Sequence, residues 1–202
     1  MSVLPATPAS LESIAALLAA GAVVAVPTDT VYGLAARLDD ADAIGRLFTA
    51  KHRPASMPVA VLCATTADAV SVAASWHEGA ARLAERYWPG PLTLVLDADP
   101  ELAARLGARH GVGVRVPDDA VCQALLTLTG PLAVTSANEH GAPPSTTAEA
   151  ALALGGGVAA ALDGGTRDGA VSTVVDLTGR SPVVVRDGAL PARDVLASLS
   201  GA

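Results

Sequence analysis

The stretch SLESIAALLAAGAVVAVPTDT, residues 10–30, decides the fold class, because a helical pattern changes there into a strand and then into a polar loop. Its first half has helical spacing, with Ser10 as the expected N-cap and Gly21 as the expected end. AVVAV at 22–26 is short and continuously apolar, as expected for a strand buried on both faces. Alternation of this kind is typical of a sheet covered by helices.

The same alternation continues to the end of the chain. Helices are predicted at 41–50, 66–74, 78–87, 100–107, 118–128, from Thr146 or Thr147 to 154, and from Pro191 onward. Further strands are predicted at 58–62, 92–96, 112–116, 131–135, 158–162, 173–177 and 182–186. A four-residue turn separates the last two strands, which therefore predict a hairpin. We expect one α/β (α+β) domain over residues 1–202, with a mixed sheet of seven or eight strands flanked by helices.

Composition excludes several classes of protein. A hydrophobic content of 51% and a mean hydropathy of +0.44 are far from those of a disordered chain. No apolar run reaches the roughly 18 residues of a membrane span, and no basic segment precedes the first apolar stretch as in a secretory signal. Cys63 and Cys122 lack metal-ligand spacing, which favours buried thiols in a reducing, cytoplasmic compartment. The four histidines are scattered and predict no zinc site.

The charge balance argues against a protein that mainly binds nucleic acid. The net charge is −7 and the isoelectric point is about 4.9, so the surface as a whole repels phosphate polymers. The five aromatic residues are too few for a base-stacking platform. A local basic pocket is still compatible with this composition, because net charge does not describe arrangement.

Lysine, asparagine and glutamine each occur only once in the sequence, and two of these single residues lie in polar clusters. Lys51 is the only lysine beside twelve arginines, and Asn138 is the only asparagine. In a chain this biased toward arginine, a lone lysine marks a position at which arginine has not replaced it. Both positions fall in polar clusters at the ends of predicted elements.

The first of these clusters is Lys51-His52-Arg53-Pro54, directly after the helix predicted at 41–50. A compact ammonium beside a planar guanidinium suits a polyphosphate, because the lysine neutralises one oxygen while the arginine grips two. Cations are also common at helix C-termini for electrostatic reasons alone. The scarcity of lysine favours the phosphate interpretation.

The other clusters also lie where apolar strands begin or end, the usual place for ligands in α/β sheets. PTDTVYGL at 27–34 follows the first strand, and Ser136 and Asn138 follow the strand at 131–135. A serine and an asparagine two residues apart form either a neutral site for phosphate or ribose oxygens or simply a turn. Arg115, inside the strand at 112–116, lies either on a solvated face or in a cleft that binds an anion.

The chain resembles the YrdC-like (TsaC) family. The resemblance rests on PTDTVYGL, KHRP with Pro58 after it, WPGPLTLVL, VGVRVPD, TSAN, and STVVDL with VVVRDGAL, which occur in the order of the family and extend from about residue 10 to 190. It implies a twisted mixed sheet around a concave, basic cavity, in the short form without an additional C-terminal domain. It also implies the activity of a threonylcarbamoyl-AMP synthase, a nucleotidyltransferase that converts L-threonine, bicarbonate and ATP into threonylcarbamoyl-AMP and pyrophosphate.

The resemblance also implies roles for the matched residues. Catalytic contacts to the ATP phosphates are expected from Lys51 and Arg53, further ATP contacts from Ser136, Asn138 and Arg186, and threonine contacts from Thr30, Arg115 and Ser172. Mg²⁺ is expected to enter with ATP and to need no protein cage. A partner enzyme is expected to pass the product to tRNA, with no membrane association and little or no direct nucleic-acid binding by this chain.

Two departures from the family pattern keep other functions open. Some members have asparagine four residues after the KHRP arginine and histidine nine after it, where this chain has Met57 and Leu62. Contacts made by those residues therefore do not carry over. The alternatives are a paralogue that carbamoylates or adenylates another small molecule, and a double-stranded RNA-binding module, which the acidic isoelectric point disfavours.

Overall fold

The computed structural model describes residues 2–50, 58–139 and 141–200. Its helices are α1 (Pro8–Ala19), α2 (Ala41–Ala50), α3 (Thr66–Val72), α4 (Glu78–Tyr87), α5 (Pro100–Arg105), α6 (Ala120–Thr129), α7 (Ala148–Ala153) and α8 (Ala192–Ser200). Its strands are β1 (Ser2–Pro5), β2 (Val23–Val26), β3 (Gly33–Arg37), β4 (Ala60–Leu62), β5 (Leu92–Asp97), β6 (Gly111–Arg115), β7 (Leu132–Ser136), β8 (Val158–Asp163), β9 (Thr173–Asp176) and β10 (Val183–Arg186).

All the described strands belong to one sheet, in the order β1-β8-β2-β3-β7-β4-β6-β5-β9-β10. β8 pairs in parallel with β1 and β2, and the pairs β4 with β6 and β5 with β9 are also parallel. The remaining pairs are antiparallel, including the hairpin of β9 and β10. The sheet is therefore mixed, and the predicted fold class and terminal hairpin are confirmed.

Helices cover both faces of the central strands. On β2, Val24 and Val26 pack with residues of α1 and α6, whereas Val23 and Ala25 pack on the opposite face with residues of α2. All four are at most 1% exposed. This two-sided burial explains the unbroken apolar character of the strand.

The sheet has more strands than the sequence predicts, because β1 and β3 were missed. β3 is buried, but Gly33, Ala35 and Ala36 lack the β-branched and aromatic side chains that identify a strand. β1 has only four residues, and the last of them is a proline. Tertiary pairing with β2, β7 and β8, rather than local propensity, forms these two strands.

The N-cap predicted for the first helix is wrong by three residues. Thr7 caps α1 by accepting a hydrogen bond from the Ser10 backbone N–H, so Ser10 lies inside the first turn. Pro8 follows the cap at a position where a missing N–H has no effect. The predicted end is confirmed, because Gly21 has a φ of 80° and its N–H donates to Leu18 O, which closes the helix.

Candidate functional site

A cavity of about 320 Å³ lies on the sheet face that α1 and α6 cover farther along. Its described walls come from the loop after β2 and from β4, β5, β6, β7, β9 and β10. Two arginines and several hydroxyls line it among valines, and none of the described lining residues is acidic. These walls therefore favour an anionic ligand with an apolar part.

Strand alternation places the polar side chains in this cavity. On β6, Val112 and Val114 pack into the core on the other face, whereas Gly113 and Arg115 face the cavity. A Cβ atom on Gly113 would lie 3.0 Å from Thr93 Cγ2, so the missing side chain keeps the floor of the cavity open. The choice that the sequence left open for Arg115 is thus resolved in favour of the cleft.

A tight turn after β2 is closed by Thr28. Its hydroxyl donates to Val31 O (2.6 Å) and accepts from the backbone N–H groups of Thr30 and Val31 (both 3.2 Å). Thr28 thereby uses its only hydrogen, so Thr30 donates in the 2.9 Å bond between the two hydroxyls. Both threonines are buried and line the cavity.

Arg115 is fixed at three points and is only 5% exposed. Nε donates to Gly90 O (2.9 Å), Nη1 to Thr30 Oγ1 (3.0 Å) and Nη2 to Asp29 Oδ1 (2.5 Å). Burial lowers the pKa of Arg115, and the adjacent Asp29 carboxylate opposes this shift. A guanidinium has five N–H donors, so one on each terminal nitrogen has no partner among the described residues, and two such donors suit a carboxylate.

The hairpin of β9 and β10 contributes a second guanidinium. Arg186 donates from Nε to Ser172 O (2.9 Å) and from Nη2 to Ser172 Oγ (2.8 Å). Ser172 Oγ also lies 2.9 Å from Thr93 Oγ1 of β5. All three residues line the cavity, and the bonds to Ser172 hold Arg186 at its rim.

The serine and asparagine of TSAN bond to each other at the end of β7. Ser136 Oγ donates to Asn138 Oδ1 (2.6 Å), and Asn138 Nδ2 donates to Glu139 O (2.9 Å) and Ala142 O (2.7 Å). Ser136 lines the cavity, whereas Asn138 holds the following turn in shape. The turn-building alternative therefore describes Asn138 in this structure, and its contact to ATP stays a prediction.

Beside the turn after β2, Tyr32 packs against a second buried ion pair, which Arg167 forms with Asp119. Tyr32 is fully buried, and its hydroxyl donates to Gly165 O (2.8 Å) and accepts from Gly164 N (3.0 Å). Arg167 lies over the Tyr32 ring and donates to Asp119 Oδ2 (2.6 Å). Burial raises the pKa of Tyr32. These contacts pack the segment after β8 against the turn, which stabilises one wall region of the site.

The structure brings together five of the eight predicted site residues: Thr30, Arg115, Ser136, Ser172 and Arg186. Asn138 lies in the adjacent turn, and Lys51 and Arg53 lie outside the described residues, as does Met57. Leu62 lines the cavity, so the position that holds histidine in some relatives is apolar here. The roles of all these residues stay predictions.

Sequence reasoning missed Thr93, which is 6% exposed and lines the cavity beside Ser172. Threonine is a common strand residue, so its occurrence in LTLVL carries no distinct signal. Thr93 contacts Ser172 because β9 pairs with β5, and this long-range pairing is seen only in the folded structure.

Neither a metal cluster nor a membrane helix is found in the part of the chain that the structure describes. No group of three or more histidine, cysteine or acidic side chains is arranged to hold a metal ion there. Within the same residues, no helix combines the length and the apolar character that crossing a bilayer requires.

Both cysteines are expected to resist alkylation in the folded protein. Burial raises the pKa of Cys63 to about 12 and raises that of Cys122 as well, so both thiols stay protonated at pH 8 and are shielded. Mass spectrometry after iodoacetamide treatment at pH 8 should show little labelling before denaturation and two labels after it. Rapid labelling of the native protein would contradict this burial.

Comparisons with known proteins identify the family of this chain. The profile of the Sua5/YciO/YrdC family, described as telomere recombination, matches residues 16–188. A protein of Mycobacterium tuberculosis is 44% identical over 172 residues, which cover 84% of this chain and 79% of that protein. The threonylcarbamoyl-AMP synthase of Pyrococcus abyssi is 42% identical over 180 residues, which cover 87% of this chain and 53% of that enzyme.

The fold matches a solved structure of the same family. The crystal structure of Pyrococcus abyssi Sua5 complexed with L-threonine aligns with a TM-score of 0.90 and 35% identity, covering 98% of this chain and 60% of that one. This chain thus spans about three-fifths of the Sua5 chain in that structure. By sequence and by fold, the chain belongs to the Sua5/YciO/YrdC family.

Proposed function

We propose that this protein is a threonylcarbamoyl-AMP synthase, which forms threonylcarbamoyl-AMP and pyrophosphate from L-threonine, bicarbonate and ATP. The observation that carries the proposal is Arg115, a buried guanidinium with two remaining N–H donors at a cavity without acidic walls among the described residues. The likeness to a Sua5 structure solved with L-threonine supports the same ligand. The product would enter the threonylcarbamoyl modification of tRNA through a separate transfer enzyme.

The amino acid would bind between Arg115 and Thr30. The terminal nitrogens of Arg115 each have one N–H left for the ligand carboxylate. The Thr30 hydroxyl donates to Thr28 and accepts from Arg115, so only a lone pair remains for the ligand. Thr30 would therefore accept a hydrogen bond from the amine or the hydroxyl of threonine, which distinguishes the two ends of the substrate.

ATP would lie near Arg186, Ser172 and Ser136, polar residues that also line the cavity. Arg186, held by Ser172 at the rim, would contact the nucleotide phosphates, and Ser136 would contact phosphate or ribose oxygens. Lys51 and Arg53 would hold the β- and γ-phosphates, on the sequence argument alone. Mg²⁺ would enter bound to ATP, because the described lining offers hydroxyls and guanidinium groups rather than the carboxylates that hold a resident ion.

The reaction needs positioning more than acid–base chemistry. The threonine nitrogen would bond to the carbon delivered by bicarbonate, and loss of water gives a carbamate. A carbamate oxygen would then bond to the α-phosphorus as the bond to pyrophosphate breaks. The described lining contains no histidine or carboxylate, so its arginines and hydroxyls would act by orienting the reactants and neutralising charge.

Amino-acid dependence of pyrophosphate release tests this proposal. With ATP, Mg²⁺ and bicarbonate, we expect release with L-threonine, less with L-serine and little with L-valine, which has the shape of threonine without the hydroxyl. Release that needs another acceptor would instead indicate a paralogue with a different substrate. Salt-sensitive binding of double-stranded RNA without turnover would indicate an RNA-binding module.

A further inference from the structure

The turn after β2 sets the position of Asp29 as well as that of Thr30. Thr28 fixes both ends of the turn through its bonds to the backbone of Thr30 and Val31. Asp29 therefore lies on a closed turn and directs its carboxylate to Arg115 rather than to solvent. Its side chain is 12% exposed and that of Arg115 is 6% exposed, so this ion pair is almost entirely buried.

The carboxylate of Asp29 is only half satisfied. Oδ1 accepts from Arg115 Nη2 at 2.5 Å, whereas Oδ2 is buried and has no hydrogen-bond partner among the described residues. A buried ion pair with an unsatisfied oxygen contributes little to stability, because desolvation of the charges offsets their attraction. Stability alone therefore does not explain why a carboxylate is held at this place.

Asp29 and Arg115 differ in their access to the cavity. Arg115 lines the cavity, whereas Asp29 is not among the lining residues and its free oxygen is inaccessible. Asp29 therefore makes no direct contact with a ligand in the cavity, and its hydrogen bond is to Arg115. Gly90 and Thr30 hold Nε and Nη1, and Asp29 supplies the contact that fixes Nη2.

We propose that Asp29 is a positioning residue of the amino-acid site, which holds the guanidinium of Arg115 so that its remaining donors face the ligand carboxylate. This inference rests on the proposed function, because it assumes that Arg115 binds the carboxylate of threonine. Without the contact at Nη2, Gly90 and Thr30 hold the guanidinium at Nε and Nη1 only, so its plane can tilt about the line through those two contacts and lose the paired geometry that a carboxylate requires.

Asp29 could affect threonine binding in two opposite ways: by positioning Arg115 it would strengthen binding, and by its negative charge it would weaken binding. Two variants of Asp29 separate these effects. Asp29→Ala removes both the acceptor and the charge. Asp29→Asn removes the charge but keeps an acceptor oxygen for Nη2. If Asp29 only weakened the field of Arg115, both variants would bind threonine more tightly.

Steady-state kinetics with threonine and ATP varied in turn provide the test. For Asp29→Ala we expect the KM for threonine to rise about 10-fold, the scale of one charge-assisted hydrogen bond, with the KM for ATP within about 2-fold of wild type. For Asp29→Asn we expect the KM for threonine to return to within about 3-fold of wild type. An unchanged or lowered KM for threonine in Asp29→Ala, or equal rises in both KM values, would overturn the inference.

Two control variants distinguish a wrong role for Asp29 from a wrong amino-acid site and from a general loss of stability. Arg115→Ala should raise the KM for threonine more than Asp29→Ala does; if it leaves that KM unchanged, the proposed amino-acid site itself is wrong. Asp119 forms an ion pair of similar burial with Arg167, which packs on Tyr32, but neither member of this pair lines the cavity. Asp119→Ala should lower the Tm without a selective change in the KM for threonine. If Asp29→Ala fails to fold, Asp29→Asn decides: a KM for threonine more than about 3-fold from wild type, with that for ATP unchanged, contradicts positioning by the acceptor.

Discussion

Replacing Arg115 with alanine is expected to lower kcat/KM for threonine about 10²-fold, the effect of losing two charge-assisted hydrogen bonds to a carboxylate. The physical basis is a guanidinium fixed at three points with one donor left on each terminal nitrogen. The KM for ATP should change much less. Steady-state kinetics with each substrate varied in turn provide the measurement.

The same substitution also leaves the Asp29 carboxylate buried without its partner. We expect the free energy of unfolding to fall by about 3–5 kcal/mol, as when one member of a buried ion pair is removed. The double variant Asp29→Ala with Arg115→Ala has no unpaired charge and should regain part of that stability. Its activity should stay low. Recovery of activity together with stability would show that Arg115 serves the fold rather than the substrate.

Replacing Lys51 with alanine is expected to reduce turnover at least about 10²-fold, the scale of losing one preorganised electrostatic contact to developing charge. Lys51 is the only lysine in a chain with twelve arginines, which argues that a compact ammonium is needed there. The Tm should stay near that of wild type. Pyrophosphate release at saturating substrates, with thermal unfolding of the same samples, gives both quantities.

Lys51→Arg is the matched control for this prediction. It keeps the charge but replaces a point donor with a planar fork, so turnover should lie between wild type and the alanine variant. Wild-type turnover in Lys51→Arg would show that any cation suffices at this position. Wild-type turnover in Lys51→Ala would contradict the proposed contact between Lys51 and ATP.

The sequence predicted the fold class because helices and buried strands have different periods and lengths. β2 was predicted from its continuous apolar run, and the hairpin from the turn between its strands. β3 was not predicted, since its alanines and glycine have no strand preference and its pairing partners lie far away in sequence. Long-range pairing is the information that a local pattern lacks.

The site was predicted to the extent that polar residues mark the ends of strands. For Arg115, alternation along β6 could not decide between solvent and a cleft, because either face of a strand can be covered. The structure decided it through Gly113 and the core packing of the neighbouring valines. Thr93 could not have been found locally, because its partner Ser172 is 79 residues away.

The buried pair of Asp29 and Arg115 shows a second limit of sequence reasoning. The motif PTDT places an aspartate between two threonines, but its residue types do not tell which of them face a ligand. In the turn closed by Thr28, Thr30 lines the cavity, whereas Asp29 does not line it and accepts a hydrogen bond from Arg115. A carboxylate in a site for anions is thus compatible with binding, because it acts on the guanidinium and not on the ligand.

The most direct test of the proposed reaction is to follow the atoms of both small substrates into the product. The protein is incubated with ATP, Mg²⁺, carbon-13 bicarbonate and nitrogen-15 L-threonine, and the nucleotides are analysed by mass spectrometry. Threonylcarbamoyl-AMP that carries both labels, formed together with pyrophosphate, is the predicted result. An adenylate without the bicarbonate carbon, or no threonine-containing adenylate at all, would contradict the proposed function.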